Sequence, residues 1–177
     1  MLSSIEILIL SAVQGISEFL PISSSAHFIL ISKKYVFANQ NLLIDICLHL
    51  GSLLAIIFYF RNDFFNFIQN KKFLTKILIS TIPIIPVGYL LYDTGLIDKL
   101  RNLEVIGWTS LVFGIFLYIS DKKKVEKKID SNFNNKSAII IGLFQVLSLI
   151  PGVSRSGITI TSGRLLGFDR YDSAKIS

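Results

Sequence analysis

Cysteine is nearly missing from this sequence: a single residue, Cys47, excludes a disulfide framework and a thiolate metal cluster. Its place in an apolar run predicts a small core residue. Charge is scarce too, at 17% of residues against 51% hydrophobic, and the mean hydropathy of +0.60 is higher than one soluble core surrounded by charge would show. No Walker A loop, zinc ligand set or dinucleotide fingerprint occurs, which removes support for soluble nucleotide chemistry. A basic n-region is also lacking, and Glu6, Gln14 and Glu18 interrupt the first apolar stretch, so a retained N-terminus is expected rather than a cleaved signal peptide. The formal charge of +6 lacks the interleaved pattern of a nucleic-acid binder. Its lysines and arginines instead flank apolar runs, as in membrane loops.

What is present reads as an all-α, polytopic membrane domain over residues 1–177. Within 43–120, three runs are each near the roughly 20 residues that cross a hydrocarbon core: Leu43 to Phe60, Phe73 to Tyr92 and Val105 to Ser120. The connections carry Arg61, Lys71, Lys72 and Lys76, then Lys99 and Arg101, then Lys122, Lys123, Lys124, Lys127, Lys128 and Lys136. By the positive-inside rule the first and third are cytoplasmic and the second lies outside.

Proline is rare, and two of the 4 prolines stand where two further apolar segments break. Residues 1–35 break at Pro21 and residues 137–168 at Pro151, each beside glycine and serine. Proline ends a helix and the serines offer caps for the next, so each segment is expected to form a re-entrant helical hairpin. Such a break is tolerated at membrane depth where it is buried in protein or lines a polar cavity. The segments also match one another: Gln14, Ser17, Ser23 and Ser25 correspond at a constant offset to Gln145, Ser148, Ser154 and Ser156. Three crossings between the copies would invert the second relative to the first, letting the two polar breaks meet near the midplane. The first hairpin would enter from outside, implying outward access, and the second from the cytoplasm.

The chemistry-bearing residues gather at these breaks. Gln14 and Glu18 are one helical turn apart and share a face, where they can hold a metal ion. Ser23, Ser24 and Ser25 suit both capping and anion binding at a helix N-terminus. His27 follows them as a candidate general base, whereas His49 has no such neighbours and is assigned to core packing. Arg155 lies inside an apolar segment away from its ends and needs an anion there; its planar fork suits phosphate. A salt bridge to Glu18 is the structural alternative. Ser154, Ser156 and Thr159 complete the second polar cluster.

The run Gln14-Gly15-Ile16-Ser17-Glu18-Phe19-Leu20-Pro21-Ile22-Ser23-Ser24-Ser25-Ala26-His27 and the run Pro151-Gly152-Val153-Ser154-Arg155-Ser156-Gly157-Ile158-Thr159 resemble the two signatures of the bacitracin-resistance type of undecaprenyl-diphosphate phosphatase. The resemblance extends through His49-Leu50-Gly51 and through Gly163-Arg164-Leu165-Leu166-Gly167. It implies hydrolysis of undecaprenyl diphosphate to the monophosphate, recycling the lipid carrier for peptidoglycan and conferring bacitracin resistance, with a divalent cation, magnesium, as cofactor. It also implies a multi-pass protein of the bacterial inner membrane. Glu18, Ser24, His27 and Arg155 fall on the family's catalytic positions, with Ser23, Ser25, Ser154, Ser156 and Thr159 as substrate-binding positions. Gln14 stands where the family has glutamate or glutamine, one charge fewer than glutamate would supply. Family members usually continue through further membrane helices after the second motif, so a C-terminally shortened chain is expected.

The expected partners are a prenyl diphosphate lipid, the bilayer and a second copy of the chain in a homodimer; nucleic acid is not among them. Two roles for Ser24 stay open: attack on phosphorus with His27 as base, or phosphate binding while His27 activates water. Two other classes of function are compatible with the pattern, a lipid-phosphate transporter built on the inverted repeat and an inactive truncated remnant.

Overall fold

The computed structural model describes residues 3–35, 42–124 and 126–177, so Met1 and Leu2 of the first expected hairpin lie outside the described residues. Among them the regular structure is helical, with one isolated bridge between Lys127 and Phe168. In order the helices are α1 (Ser4–Phe19), α2 (Ser24–Tyr35), α3 (Leu42–Tyr59), α4 (Arg61–Gln69), α5 (Lys71–Thr81), α6 (Ile84–Asp93) and α7 (Leu96–Leu100). They continue with α8 (Leu103–Asp121), α9 (Ile129–Asn132), α10 (Asn135–Val146), a 3₁₀ turn (Leu147–Leu149), α11 (Arg155–Leu166) and α12 (Arg170–Ile176). The chain divides into two compact units, residues 1–71 and 72–177.

In the first unit, α1 begins at a capping box. Glu6 N–H donates to Ser3 Oγ at 3.3 Å, and Ser3 N–H donates to Glu6 Oε2 at 2.6 Å, satisfying two of the donors a helix start leaves open. The buried residues of α1 are Leu10, Gln14 and Ser17, a single stripe at helical spacing. Two of these three are polar, so this stripe serves a site as well as a core. Both α2 and α3 pack on α1.

The second unit is built around α11, which packs against α8, α10 and α12. Phe133 joins two edge-on ring contacts, to Phe73 at 5.7 Å and to Phe168 at 5.9 Å, each worth about 0.5–1.5 kcal/mol beyond the area buried. Arg164 is 5% exposed and donates to Phe168 O and to Asp121 O, both at 3.0 Å. It thereby neutralises the carbonyl end of α8, where the helix dipole favours a cation. Gly167 ends α11 at φ 100°, and a Cβ there would sit 3.2 Å from the Lys127 side chain.

Among the described residues two stretches are long and apolar enough to cross a membrane, Lys71–Asp93 and Leu103–Asp121, with only 6% and 11% of their apolar windows buried. A core helix of a soluble protein would be mostly covered; these stay open, with Tyr92 80% and Trp108 63% exposed. Lipid is the solvent that such faces suit. The first stretch is less regular than its hydropathy predicts. Pro83 lacks an N–H, so the chain turns at Ile82–Pro83 and the run divides into α5 and α6. The Leu43 to Phe60 run forms α3, whose apolar part, Leu43–Tyr59, is shorter than those two stretches. Cys47 is exposed on α3, contrary to the core position expected of it, because α3 turns one flank away from α1.

Both proline-broken segments fold as a helix, a break and a second helix, with the arms packed on each other. Their hydrogen bonds repeat as well. Ser23 Oγ lies 3.0 Å from Ser25 Oγ, and Ser154 Oγ lies 3.1 Å from Ser156 Oγ. Ala26 N–H donates to Ser23 Oγ at 3.4 Å, and Gly157 N–H donates to Ser154 Oγ at 3.2 Å. Ser17 and Ser148 each donate to the carbonyl of the glutamine three residues earlier, at 3.4 and 2.7 Å. A matched sequence thus yields the same local structure twice.

Candidate active site

At the first break, α1 ends at Phe19, Leu20 turns extended, and Pro21 prevents the helix from continuing. Ser23 takes the capping position of α2, leaving the hydroxyl of Ser24 for other work. That hydroxyl donates to Glu18 Oε2 at 3.4 Å, and Gln14 Nε2 donates to the same oxygen at 3.2 Å. Gln14 is 1% exposed and Ser24 7%, whereas the Glu18 side chain is 39% exposed, so two buried donors hold a carboxylate that stays open on its other side. The amide orientation follows from chemistry: reversed, it would aim a carbonyl oxygen at a carboxylate. Gln14 Oε1 is consequently a buried acceptor with no hydrogen-bond donor among the described residues.

His27 lies three residues after Ser24, on the same side of α2. Its Nδ1 is 2.7 Å from Ser23 O. A carbonyl only accepts, so Nδ1 carries the proton and, in the neutral ring, Nε2 keeps its lone pair. This is the tautomer that a general base requires. Ser24, however, donates to Glu18.

At the second break, Pro151 and Gly152 turn the chain before Ser154 caps α11. Arg155, first residue of that helix, is exposed, and no acceptor among the described residues of its own unit bonds its guanidinium. Ser154 and Ser156 flank it and bond each other. Thr159 is one turn deeper, 3% exposed. Its hydroxyl bonds Arg155 O at 2.9 Å, Ser156 O at 3.0 Å and Ser177 Oγ at 2.7 Å, away from the helix tip. Within their own units, then, Gln14, Glu18 and Ser24 form one bonded group, and Ser154, Arg155 and Ser156 share one helix start.

Two contributions were not legible in the motifs. Thr109 and Ser110 of α8 donate to Pro151 O at 2.6 Å and to Gly152 O at 3.2 Å, clamping the turn that sets Arg155. Nothing in a threonine-serine pair within an apolar helix announces that role. The second is His49. Far from core packing, it is exposed, its Nδ1 is 2.8 Å from Asp45 O, and its Nε2 is 3.8 Å from Glu18 Oε2. The assignment to core failed because the neighbour that matters is on α1, distant in sequence.

The family profile described as bacitracin resistance protein BacA matches residues 7–177, nearly the whole chain. The chain belongs to the BacA family. Among the relatives of this family, the undecaprenyl-diphosphatase of Pelagibacter ubique is 57% identical over 98% of this chain and 68% of its own length. Those of Ruegeria sp. and Hahella chejuensis, likewise named undecaprenyl-diphosphatase, are 39% and 41% identical, each over 98% of this chain, covering 70% and 69% of their own lengths. The match covers both helix breaks just described, one in each unit.

Proposed function

We propose that this chain hydrolyses undecaprenyl diphosphate to undecaprenyl phosphate and phosphate, recycling the lipid carrier of cell wall synthesis and thereby conferring bacitracin resistance. The observation that carries this reading is the hydrogen-bonded Gln14, Glu18 and Ser24 group at a helix break within the residues that match the BacA family. Transport without hydrolysis and an inactive remnant find no comparable support among the relatives, which are named for the hydrolytic reaction.

In this reading the prenyl tail stays in lipid while the diphosphate reaches the polar residues at the helix breaks, in the bacterial inner membrane. Arg155 and the open N–H groups at the start of α11 bind phosphate oxygens, and the guanidinium offsets charge developing on the transferred group. His27 Nε2 takes a proton from water, or from Ser24 once its hydroxyl turns away from Glu18. Ser23, Ser25, Ser154 and Ser156 shape the anion cradle. Thr159 would support it from behind, since its hydroxyl is committed to the backbone.

The residues fit a divalent cation. Gln14 Oε1 is a buried oxygen without a donor beside the Glu18 carboxylate, a hard oxygen pair of the kind magnesium prefers. Gln14 and Glu18 would hold magnesium, and when bound it would act as a Lewis acid on the phosphoryl oxygens.

The test is phosphate release from undecaprenyl diphosphate by the purified chain in detergent, with and without added magnesium. Release abolished in Glu18→Ala supports the proposal; an absence of release in every condition refutes it.

A further inference from the structure

The apolar stretch Leu103–Asp121 forms α8, whose last turns stay uncovered, with Tyr118 61% and Ile119 55% exposed. Lys122, Lys123 and Lys124 follow it at once, all exposed. At this end the protein has an open cavity of about 590 Å³, lined by residues 121–124, Glu126, Arg164 and residues 169–171. Arg164 is buried beneath the loop and donates to Asp121 O, Lys123 O and Phe168 O, which fixes the backbone that carries the lysines. Lys122 Nζ stands 4.4 Å from the centroid of the Tyr118 ring, whose face attracts a cation. The carboxylates around the cavity are largely committed within the protein: Arg170 donates to both oxygens of Asp121, at 2.8 and 2.7 Å, and Lys128 pairs with Asp169. Glu126 is the lining carboxylate outside these pairs, while Lys122, Lys123 and Lys124 enter no ion pair among the described residues. Positive charge is therefore left over in a fixed, concave setting.

We infer that this cavity binds the phosphodiester headgroup of an anionic phospholipid, with the lysines on the phosphate and the acyl chains against the uncovered end of α8. The ligand class follows from that juxtaposition. A soluble anion would use the charge and leave the apolar face bare, whereas a lipid uses both. Flanking lysines that only set orientation need neither a cavity nor a fixed loop. The site is distinct from the second helix break, since Thr109 clamps that break and Lys122 stands roughly 20 Å further along α8 at 1.5 Å per residue. It therefore does not depend on the diphosphatase reading. Each lysine near an anionic lipid surface strengthens binding about fivefold, so the three together supply on the order of 100-fold.

The experiment titrates the purified chain, in a neutral detergent, with phosphatidylglycerol or phosphatidylcholine and counts bound lipid by native mass spectrometry. Wild type is expected to bind the first phosphatidylglycerol at least about tenfold more tightly than phosphatidylcholine. Replacing Lys122, Lys123 and Lys124 together by glutamine should weaken phosphatidylglycerol about 10–100-fold, and replacing them by arginine should keep it within about threefold. Lys99→Gln with Arg101→Gln, a charge loss before the start of α8, should leave it unchanged. Equal affinity of wild type for the two lipids overturns the inference without any variant, and so does a loss in the Lys99 and Arg101 control as large as in the glutamine triple. A second arm adds glycerol 3-phosphate, the same phosphate without chains, at about 1 mM. Retained lipid upholds the assignment; displacement overturns it in favour of a site for soluble phosphate esters.

Discussion

Gly152 is the position where one added methyl group should cost most. Its φ is +94°, a conformation that L side chains avoid at roughly 1–2 kcal/mol. A Cβ there would stand 2.2 Å from Thr109 Oγ1 and 2.8 Å from Ile106 O. The second contact is backbone and cannot step aside, and overpacking of this kind adds about 1–3 kcal/mol. Gly152→Ala should thus lose about 2–5 kcal/mol. For a chain of this size each kcal/mol moves the midpoint of thermal unfolding by about 2–4 °C, so a fall of roughly 7–14 °C is expected for the middle of that range. The sequence has a single tryptophan, Trp108, adjacent to Thr109, so its fluorescence reports the affected turn directly. Thr109→Ala alone removes the bond to Pro151 O and should cost about 1 kcal/mol. In the double variant the clash with Thr109 Oγ1 is gone while the φ strain and the Ile106 contact remain. The two substitutions should therefore couple, the pair being about 1–2 kcal/mol less harmful than their sum. A Gly152→Ala midpoint within about 1 °C of wild type, or strict additivity, would refute the reasoning.

Three further outcomes follow from the same geometry. Arg155→Ala should lower kcat/KM by about 10²–10³-fold, the usual loss for one preorganised donor to a developing oxyanion, with Arg155→Lys recovering only part because it lacks the planar fork; steady-state phosphate release measures both. Ser24→Ala separates the two roles of the hydroxyl, since a rate within about tenfold of wild type excludes a phosphoseryl intermediate while an acid-stable phosphoserine trapped in wild type establishes one. Asp169 caps α12, and the Asp172 N–H bond and then the Lys128 ammonium hold its carboxyl below the ordinary value of 3.8. A depressed folded value means that this stabilisation is complete above the ordinary carboxylate range and is lost as the pH falls through the folded one. Amide protection factors in α12 should drop over that acidic window, and in Asp169→Asn they should lose this pH dependence.

Much of this protein is legible from residue order. Pro21 and Pro151 end their helices because proline has no N–H, and the serines that follow cap the next helices because their hydroxyls accept from free backbone donors. The match between Gln14 to Ser25 and Gln145 to Ser156 reappears as repeated bonds of nearly equal length. Where hydropathy alone was read, detail was lost. A long apolar window averages over Pro83, so one run became two helices. His49 and Cys47 were assigned by their own neighbours in sequence, but burial is decided by which helix packs on which face.

The sequence by itself determined the helical class, the places where helices break and the polar residues at each break, because proline, capping and hydropathy act within a few residues. Only tertiary structure decided that three helices converge on one oxygen of Glu18, that Gln14 keeps a buried oxygen without a donor, and that Thr109 and Ser110 hold the turn before Arg155. Those contacts join residues far apart along the chain, and their directions are set by packing between helices, which no local pattern encodes.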